Sequence, residues 1–218
     1  LSLEEASEKE FSMPNCVILN GETVEHTKPF GISDSAFALL DGREKMITKM
    51  PIRLLTLQAL ELPKRHVFWD IGFCTGSVSI EARLQFPHLQ IEAFEVRPEC
   101  EAIIKENARR FGAPGINIHM GDFLESPLLS REGVGVGLPD AVFIGGHGGR
   151  LKEIMEKVLT VLAPDGVIVF NSVTSPKVST NSRQLWDEAC KELNLRQEAP
   201  LRIQLNDFNP IEILKCKR

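Results

Sequence analysis

The stretch Val67-Phe68-Trp69-Asp70-Ile71-Gly72-Phe73-Cys74-Thr75-Gly76-Ser77-Val78-Ser79 reads as a buried strand running through a glycine-punctuated turn into a helix. Such a turn brings backbone N–H groups and a helix N-terminus up to a ligand. Gly72 and Gly76 let the backbone turn sharply and come close to that ligand with no Cβ in the way. Asp70, at the strand end, is placed to reach an amino group or a water. Glu95 closes the next strand-like run 19 positions after Gly76, about the separation at which a carboxylate meets ribose hydroxyls. The pattern predicts a nucleoside-containing cofactor. A tight strand–helix turn with no ligand is the plainer alternative.

Working outward, strand and helix alternate. Strand-like runs fall at 66–71, 90–96, 116–120, 140–144 and 166–171, with helical patterns at 77–86, 98–111 and 149–162 between them. Ala141-Val142-Phe143-Ile144 and Val167-Ile168-Val169-Phe170 are continuously apolar, as expected for parallel strands covered on both faces. Pro98 and Gly112 punctuate the second of these helices at its start and end. Upstream, a helix begins near Thr48, which can cap it, with Pro51 in its first turn and Ile52, Leu55, Ala59 and Leu62 on one face. The fold class is a doubly wound α/β domain.

The C-terminal part departs from that rhythm. A helix around 180–193 precedes a run at 201–205, the turn Asn206-Asp207-Phe208-Asn209-Pro210 and a run at 211–215. So short a turn predicts a hairpin and an antiparallel last strand. That ending is a feature of S-adenosylmethionine-dependent methyltransferases, whereas dinucleotide dehydrogenases usually continue parallel. A mostly parallel, seven-stranded sheet with a C-terminal antiparallel hairpin is expected. The glycine-rich loop at 131–139 reads as mobile.

Composition narrows the field. The 218 residues are 43% hydrophobic and 25% charged, ordinary for a globular protein, and can bury a sizeable core. A net charge of −5 provides no global field for nucleic acid. No apolar run reaches the ~20 residues that span a bilayer, and no signal-peptide pattern opens the chain. Cys16, Cys74, Cys100, Cys190 and Cys216 are scattered, which points to a reducing, cytoplasmic setting. With the five histidines equally dispersed, no metal site is expected. Residues 1–10 carry four acids and one base, and Cys16-Val17-Ile18-Leu19 is apolar. The opening reads as the tail of something cut upstream, or as a short disordered arm followed by a strand.

Three further groups bear on chemistry. Asp122 and Phe123 follow the third strand, where an acid accepts from an adenine amino group and the next N–H donates to the ring; a helix cap by Asp122 is the alternative. Gly145-Gly146-His147-Gly148-Gly149 ends the fourth strand and forms a backbone-lined rim beside the switch-point crevice, able to hold carboxylates through bare N–H groups. His147 there is a candidate proton shuttle or an inert loop residue. Lys49, Arg53 and Arg150 could bind an anionic substrate, or simply be solvated. Cys74 sits where a helix N-terminus can activate a thiol, but its place in a cofactor loop argues for packing.

Together the chain resembles the decarboxylating precorrin methyltransferases of cobalamin biosynthesis. The resemblance is carried by Gly31-Ile32-Ser33-Asp34 with Phe37, by Met46-Ile47-Thr48-Lys49 with Arg53, by the run from Trp69 to Glu81, and by Val142-Phe143-Ile144 with the glycine loop. It covers residue 30 to the end. It implies S-adenosyl-L-methionine as cofactor, methylation of precorrin-6B or its cobalt form at carbon 15, and decarboxylation of the acetate at carbon 12. By the same resemblance Thr48, Asp70, Gly72, Phe73, Cys74, Thr75, Gly76, Glu95, Asp122 and Phe123 meet the cofactor. Gly145, Gly146, Gly148 and Gly149 would by the same resemblance face an anionic tetrapyrrole, whose carboxylates give Lys49, Arg53 and Arg150 a use, and a homo-tetramer is expected because family members commonly form one.

Residues 8–19 are similar to the end of the C5-methyltransferase that is fused ahead of this enzyme in many bacteria. Residues 1–28 are therefore expected to be its tail and a linker, and 29–218 the methyltransferase domain. Two departures stand out: the usual Cys-Gly of the cofactor loop is Phe73-Cys74, and a residue that is often Ser is His147. The rival readings are a methyltransferase on another small molecule or on tRNA, a non-catalytic cofactor-binding assembly domain, and an NAD-dependent dehydrogenase. The tRNA reading is disfavoured by a pI near 5.6, the dehydrogenase by the terminal hairpin.

Overall fold

The computed structural model describes residues 1–16, 18, 29–42, 46–126, 138–173, 182–206 and 209–218. Residues 17 and 19 of the apolar run, the 131–137 part of the glycine-rich loop, the start of the last expected helix and the tip of the final turn lie outside the described residues.

Strands β1 (Val67–Ile71), β2 (Gln90–Glu95), β3 (Ile116–Met120), β4 (Ala141–Ile144) and β5 (Val167–Val173) pair in parallel in the order β3-β2-β1-β4-β5. Long β8 (Ile211–Lys217) runs antiparallel to β5, and short β6 (Arg196–Gln197) and β7 (Leu201–Ile203) both pair with β8. The expected seven positions are present, but the strand before the last is interrupted, so eight strands fill them. Pro200, with no N–H to give a ladder, lies in the break.

Helices α2 (Met50–Ala59), α3 (Ser77–Gln85), α4 (Glu99–Phe111), α5 (Leu151–Leu159) and α6 (Ser182–Glu192) cover the two faces. Side chains alternate across each strand. Trp69, Val142, Ile144 and Phe170 pack with Met155 of α5 and Trp186 of α6, while Phe68, Phe143 and Val169 pack with Ile52 of α2 and Val78 of α3. All five residues of β1 are buried, as its central place requires. Pro98 and Gly112 bracket α4 as expected, Gly112 in the left-handed conformation. Thr48 does not cap α2: Lys49 holds that position, without a side-chain cap bond, and Pro51 is in the first turn.

A five-residue helix, α1 (Leu3–Ser7), closed by a reciprocal Ser2–Glu5 cap, was not foreseen. Residues 29–42 are tied down instead by buried polar groups. Glu81 accepts from the N–H groups of Gly31 (2.7 Å) and Ile32 (3.2 Å), and Asn107 exchanges hydrogen bonds with both backbone groups of Ala38.

Candidate functional site

β1 lies between β2 and β4, so successive crossovers leave it in opposite directions and the crevice falls at its C-terminal end. A cleft of about 1070 Å³ opens there. It brings together Thr48, Lys49, Asp70, Gly72, Phe73, Cys74, Thr75, Glu95, Asp122, Phe123, Gly145, Gly146, His147, Gly148 and Arg150. Gly76, Gly149 and Arg53 are not on its wall.

The turn after β1 is left-handed at Gly72 (φ 80°), Cys74 (48°) and Gly76 (73°). Cys74 thus occupies a conformation that favours glycine, which is the physical content of the Phe73-Cys74 departure. A hydrogen bond from its N–H to Glu95 Oε2 (2.9 Å) holds it there. Burial pushes its thiol pKa up, so it is a packed thiol and not an activated one. Gly76 serves packing: a Cβ there would lie 2.3 Å from Ile104 Cγ1 of α4.

Asp70 is buried, accepts from Ser79 Oγ at 2.6 Å through Oδ2, and leaves Oδ1 without a partner. Burial pushes its carboxyl up to about 7, with the nearby Glu95 charge adding to the effect. Glu95 is equally buried, and burial raises its pKa too. Hydrogen bonds and charge from Arg97, with the Cys74 N–H, outweigh that and hold it below the usual carboxylate range. Asp122 makes a turn to the Leu124 N–H (2.9 Å) and pairs with Arg150 (3.2 Å). Phe123 packs edge-on to Phe94 and Trp69, closing the floor of the cleft.

The glycines after β4 have a structural reason. A Cβ on Gly72 would lie 2.7 Å from Gly146 N, and one on Gly145 would lie 2.9 Å from Gly72 O. The two loops therefore meet backbone to backbone. Three N–H groups of the rim are already engaged: Gly145 (2.8 Å) and Gly146 (3.4 Å) donate to Ile71 O, and Gly149 donates to His147 Nδ1 (3.1 Å). Because Nδ1 accepts, the neutral His147 ring carries its proton on Nε2, and burial pushes its pKa below the ordinary histidine value.

The expected cations divide. Arg53 is corrected: it is fully buried, ion-paired with Glu81 and Asp34 (both 3.2 Å), and bonded to the carbonyls of Thr48 (2.9 Å) and Ile32. It fastens α2 to α3 and residues 32–34, and lies off the cleft wall. Lys49 and Arg150 do reach the cleft, paired with Asp34 and with Asp122 and Glu153. Sequence reasoning missed Arg97 and Asn171, which also line it. Each had a signal: Arg97 follows Glu95 by two positions, and Asn171 is the first polar residue to end the apolar run of β5. Ile203, Leu205 and Ile211 give the far side an apolar wall.

The precorrin methyltransferase domain model matches residues 40–200. The cobalt-precorrin-6B C(15)-methyltransferase (decarboxylating) of Salmonella typhimurium is 33% identical, over 82% of this chain and 93% of its own. The precorrin-6Y C(5,15)-methyltransferase [decarboxylating] of Sinorhizobium sp is 41% identical over 65% of this chain, which spans about a third (32%) of it. A crystal structure of the precorrin-6Y C5,15-methyltransferase of Geobacter metallireducens superposes with a TM-score of 0.70 at 31% identity, covering 88% of this chain and 100% of that one. By the extent of the family match and the identity to these relatives, the chain belongs to the precorrin methyltransferase domain family.

Proposed function

We propose that this domain methylates precorrin-6B or its cobalt form at carbon 15, with S-adenosylmethionine as donor, and releases the acetate carboxyl at carbon 12 as carbon dioxide. The observation that carries the reading is the backbone-to-backbone meeting of the turn after β1 with the glycine loop after β4. It supports a cofactor turn and a substrate rim that share one cleft.

The residues fit an adenosyl donor: Asp70 offers a buried oxygen without a partner, the left-handed path at 72–76 exposes backbone, and Glu95 is held ionised at the end of β2. Thr48, Asp70, Gly72, Phe73, Cys74, Thr75, Glu95, Asp122 and Phe123 would hold it. When bound, S-adenosylmethionine supplies an electrophilic methyl group for in-line transfer to a nucleophilic carbon. The chain contributes orientation. Gly145, Gly146 and Gly148 present close backbone to the macrocycle, the apolar wall receives its ring edge, and Lys49 and Arg150 exchange carboxylate partners with it. No protein nucleophile is needed, because the conjugated substrate takes up the electron pair released by decarboxylation once a neighbouring position is protonated. With its low pKa and Nδ1 engaged, His147 acts as an Nε2–H donor rather than as a charged acid.

A homo-tetramer and an upstream C5-methyltransferase domain belong to the same reading, the latter supported by the bifunctional Sinorhizobium relative. All five cysteines are free, which supports a reducing, cytoplasmic setting. Among the described residues, no helix is long and apolar enough to cross a membrane.

The test is incubation with S-adenosylmethionine and precorrin-6B, and separately the cobalt form, followed by mass. Gain of one methyl with loss of carbon dioxide supports the reading and shows which form is used. An unchanged mass with both substrates, from folded protein that binds S-adenosylhomocysteine, overturns it in favour of a non-catalytic assembly role.

A further inference from the structure

The Glu95 carboxylate is fully subscribed. Oε1 accepts from the backbone N–H groups of Val96 (3.0 Å) and Arg97 (3.1 Å) and from Arg97 Nε (2.9 Å). Oε2 accepts from the Cys74 N–H (2.9 Å) and from Arg97 Nη2 (2.7 Å). Two carboxylate oxygens offer about four lone-pair sites, so five donors leave no acceptor for a ribose hydroxyl, whereas the three backbone donors alone leave one, on Oε2.

The five donors are not equally replaceable. Three are backbone groups fixed by the turn after β1 and by the end of β2. The other two are one guanidinium fork laid in parallel on both oxygens, the strongest geometry for such a pair. That fork is one-third exposed, while the Glu95 side chain is 2% exposed. Arg97 itself lines the cleft. Only the fork can leave without unmaking the fold, and it has solvent to move into.

We propose that Arg97 competes with the cofactor's ribose for Glu95, so that its withdrawal is part of cofactor binding and limits affinity. The inference rests on the assignment of Glu95 to the ribose. Free energy of the Arg97–Glu95 pair is lost each time the ribose binds, and apparent affinity is reduced by the fraction of molecules with the fork withdrawn. The three backbone donors stay on Glu95 and keep it oriented once Arg97 has moved away.

The test measures S-adenosylhomocysteine and S-adenosylmethionine binding by calorimetry and stopped flow in the wild-type chain, Arg97→Met, Glu95→Gln and the double variant, with Arg97→Gln as companion should the Met variant not fold. Removing the fork should tighten S-adenosylhomocysteine binding by about 3- to 10-fold, chiefly through a faster association rate. Without ligand the variant should melt earlier, since Glu95 loses two charge-assisted hydrogen bonds, yet its ligand-induced melting shift should exceed that of the wild type. A merely structural arginine would lower both. In the Glu95→Gln background, removing the fork should give much less gain.

Folded Arg97→Met or Arg97→Gln protein that binds S-adenosylhomocysteine no tighter than wild type overturns the proposal while leaving the cofactor reading intact. A gain for S-adenosylmethionine alone also overturns it, because that would report only relief of charge repulsion at the sulfonium. Wild-type protein that binds neither ligand overturns the cofactor reading and this inference with it.

Discussion

Asp70 sits at the end of a wholly buried strand with one oxygen on Ser79 and the other without a partner. Its carboxyl is pushed up to about 7 by burial, whereas in the unfolded chain it ionises near ~4. Between those values the folded state keeps a proton that the unfolded state has lost, so Asp70 makes stability fall as pH rises from about 4 to about 7. Asp70→Asn removes that dependence. Its melting temperature should match the wild type near pH 4 and move ahead of it through this window. A constant gap across the range would contradict the assignment. Glu95→Ala should weaken S-adenosylhomocysteine binding by about 1–3 kcal/mol through lost charged hydrogen bonds; unchanged affinity would remove Glu95 from the ribose.

Both carboxylates were legible from their places at strand ends. Arg53 was not, because spacing along a helix shows which edge a guanidinium occupies but not whether Glu81 and Asp34 fold over to meet it. Nor could sequence show that Glu95 would already be held by Arg97.

At the scale of elements, the two glycine loops stand or fall together. Gly72 combines a φ of 80° with a Cβ position 2.7 Å from Gly146 backbone, so Gly72→Ala meets backbone strain and an immovable neighbour. A loss of about 2–4 kcal/mol is expected. Gly146→Ala should be tolerated within about 1 kcal/mol, because its Cβ would meet nothing nearer than Gly72 Cα at 4.0 Å. Urea unfolding of the two variants checks this, and equal losses would refute the loop-on-loop account. The parallel strands and their helices were readable because continuous apolar runs and capping signals reinforce one another along the chain. The split into β6 and β7 was not, since strands of two and three residues are too short to show an alternating pattern. The left-handed backbone at Cys74 was marked only indirectly, as a departure from the usual glycine, because a residue other than glycine there conceals the geometry.

For the whole molecule, strand order decides where chemistry can occur. The sheet places its crevice beside β1, and the antiparallel β8 brings Ile203 and Ile211 round to the far wall, so a polar, backbone-rich half faces an apolar half. A flat, polycarboxylate macrocycle with an adenosyl methyl donor matches that division. The doubly wound core and terminal hairpin could be read from the order of elements, whereas the wall depended on which hairpin face turns inward.

The central claim is that one cleft couples methyl transfer to decarboxylation. Single-turnover incubation with methyl-labelled S-adenosylmethionine and acetate-carboxyl-labelled substrate measures both products from the same chain. Equal amounts of transferred methyl and released carbon dioxide are predicted, with both lost in Glu95→Ala at limiting cofactor. Methyl transfer with no carbon dioxide, from fully active protein, would contradict the account.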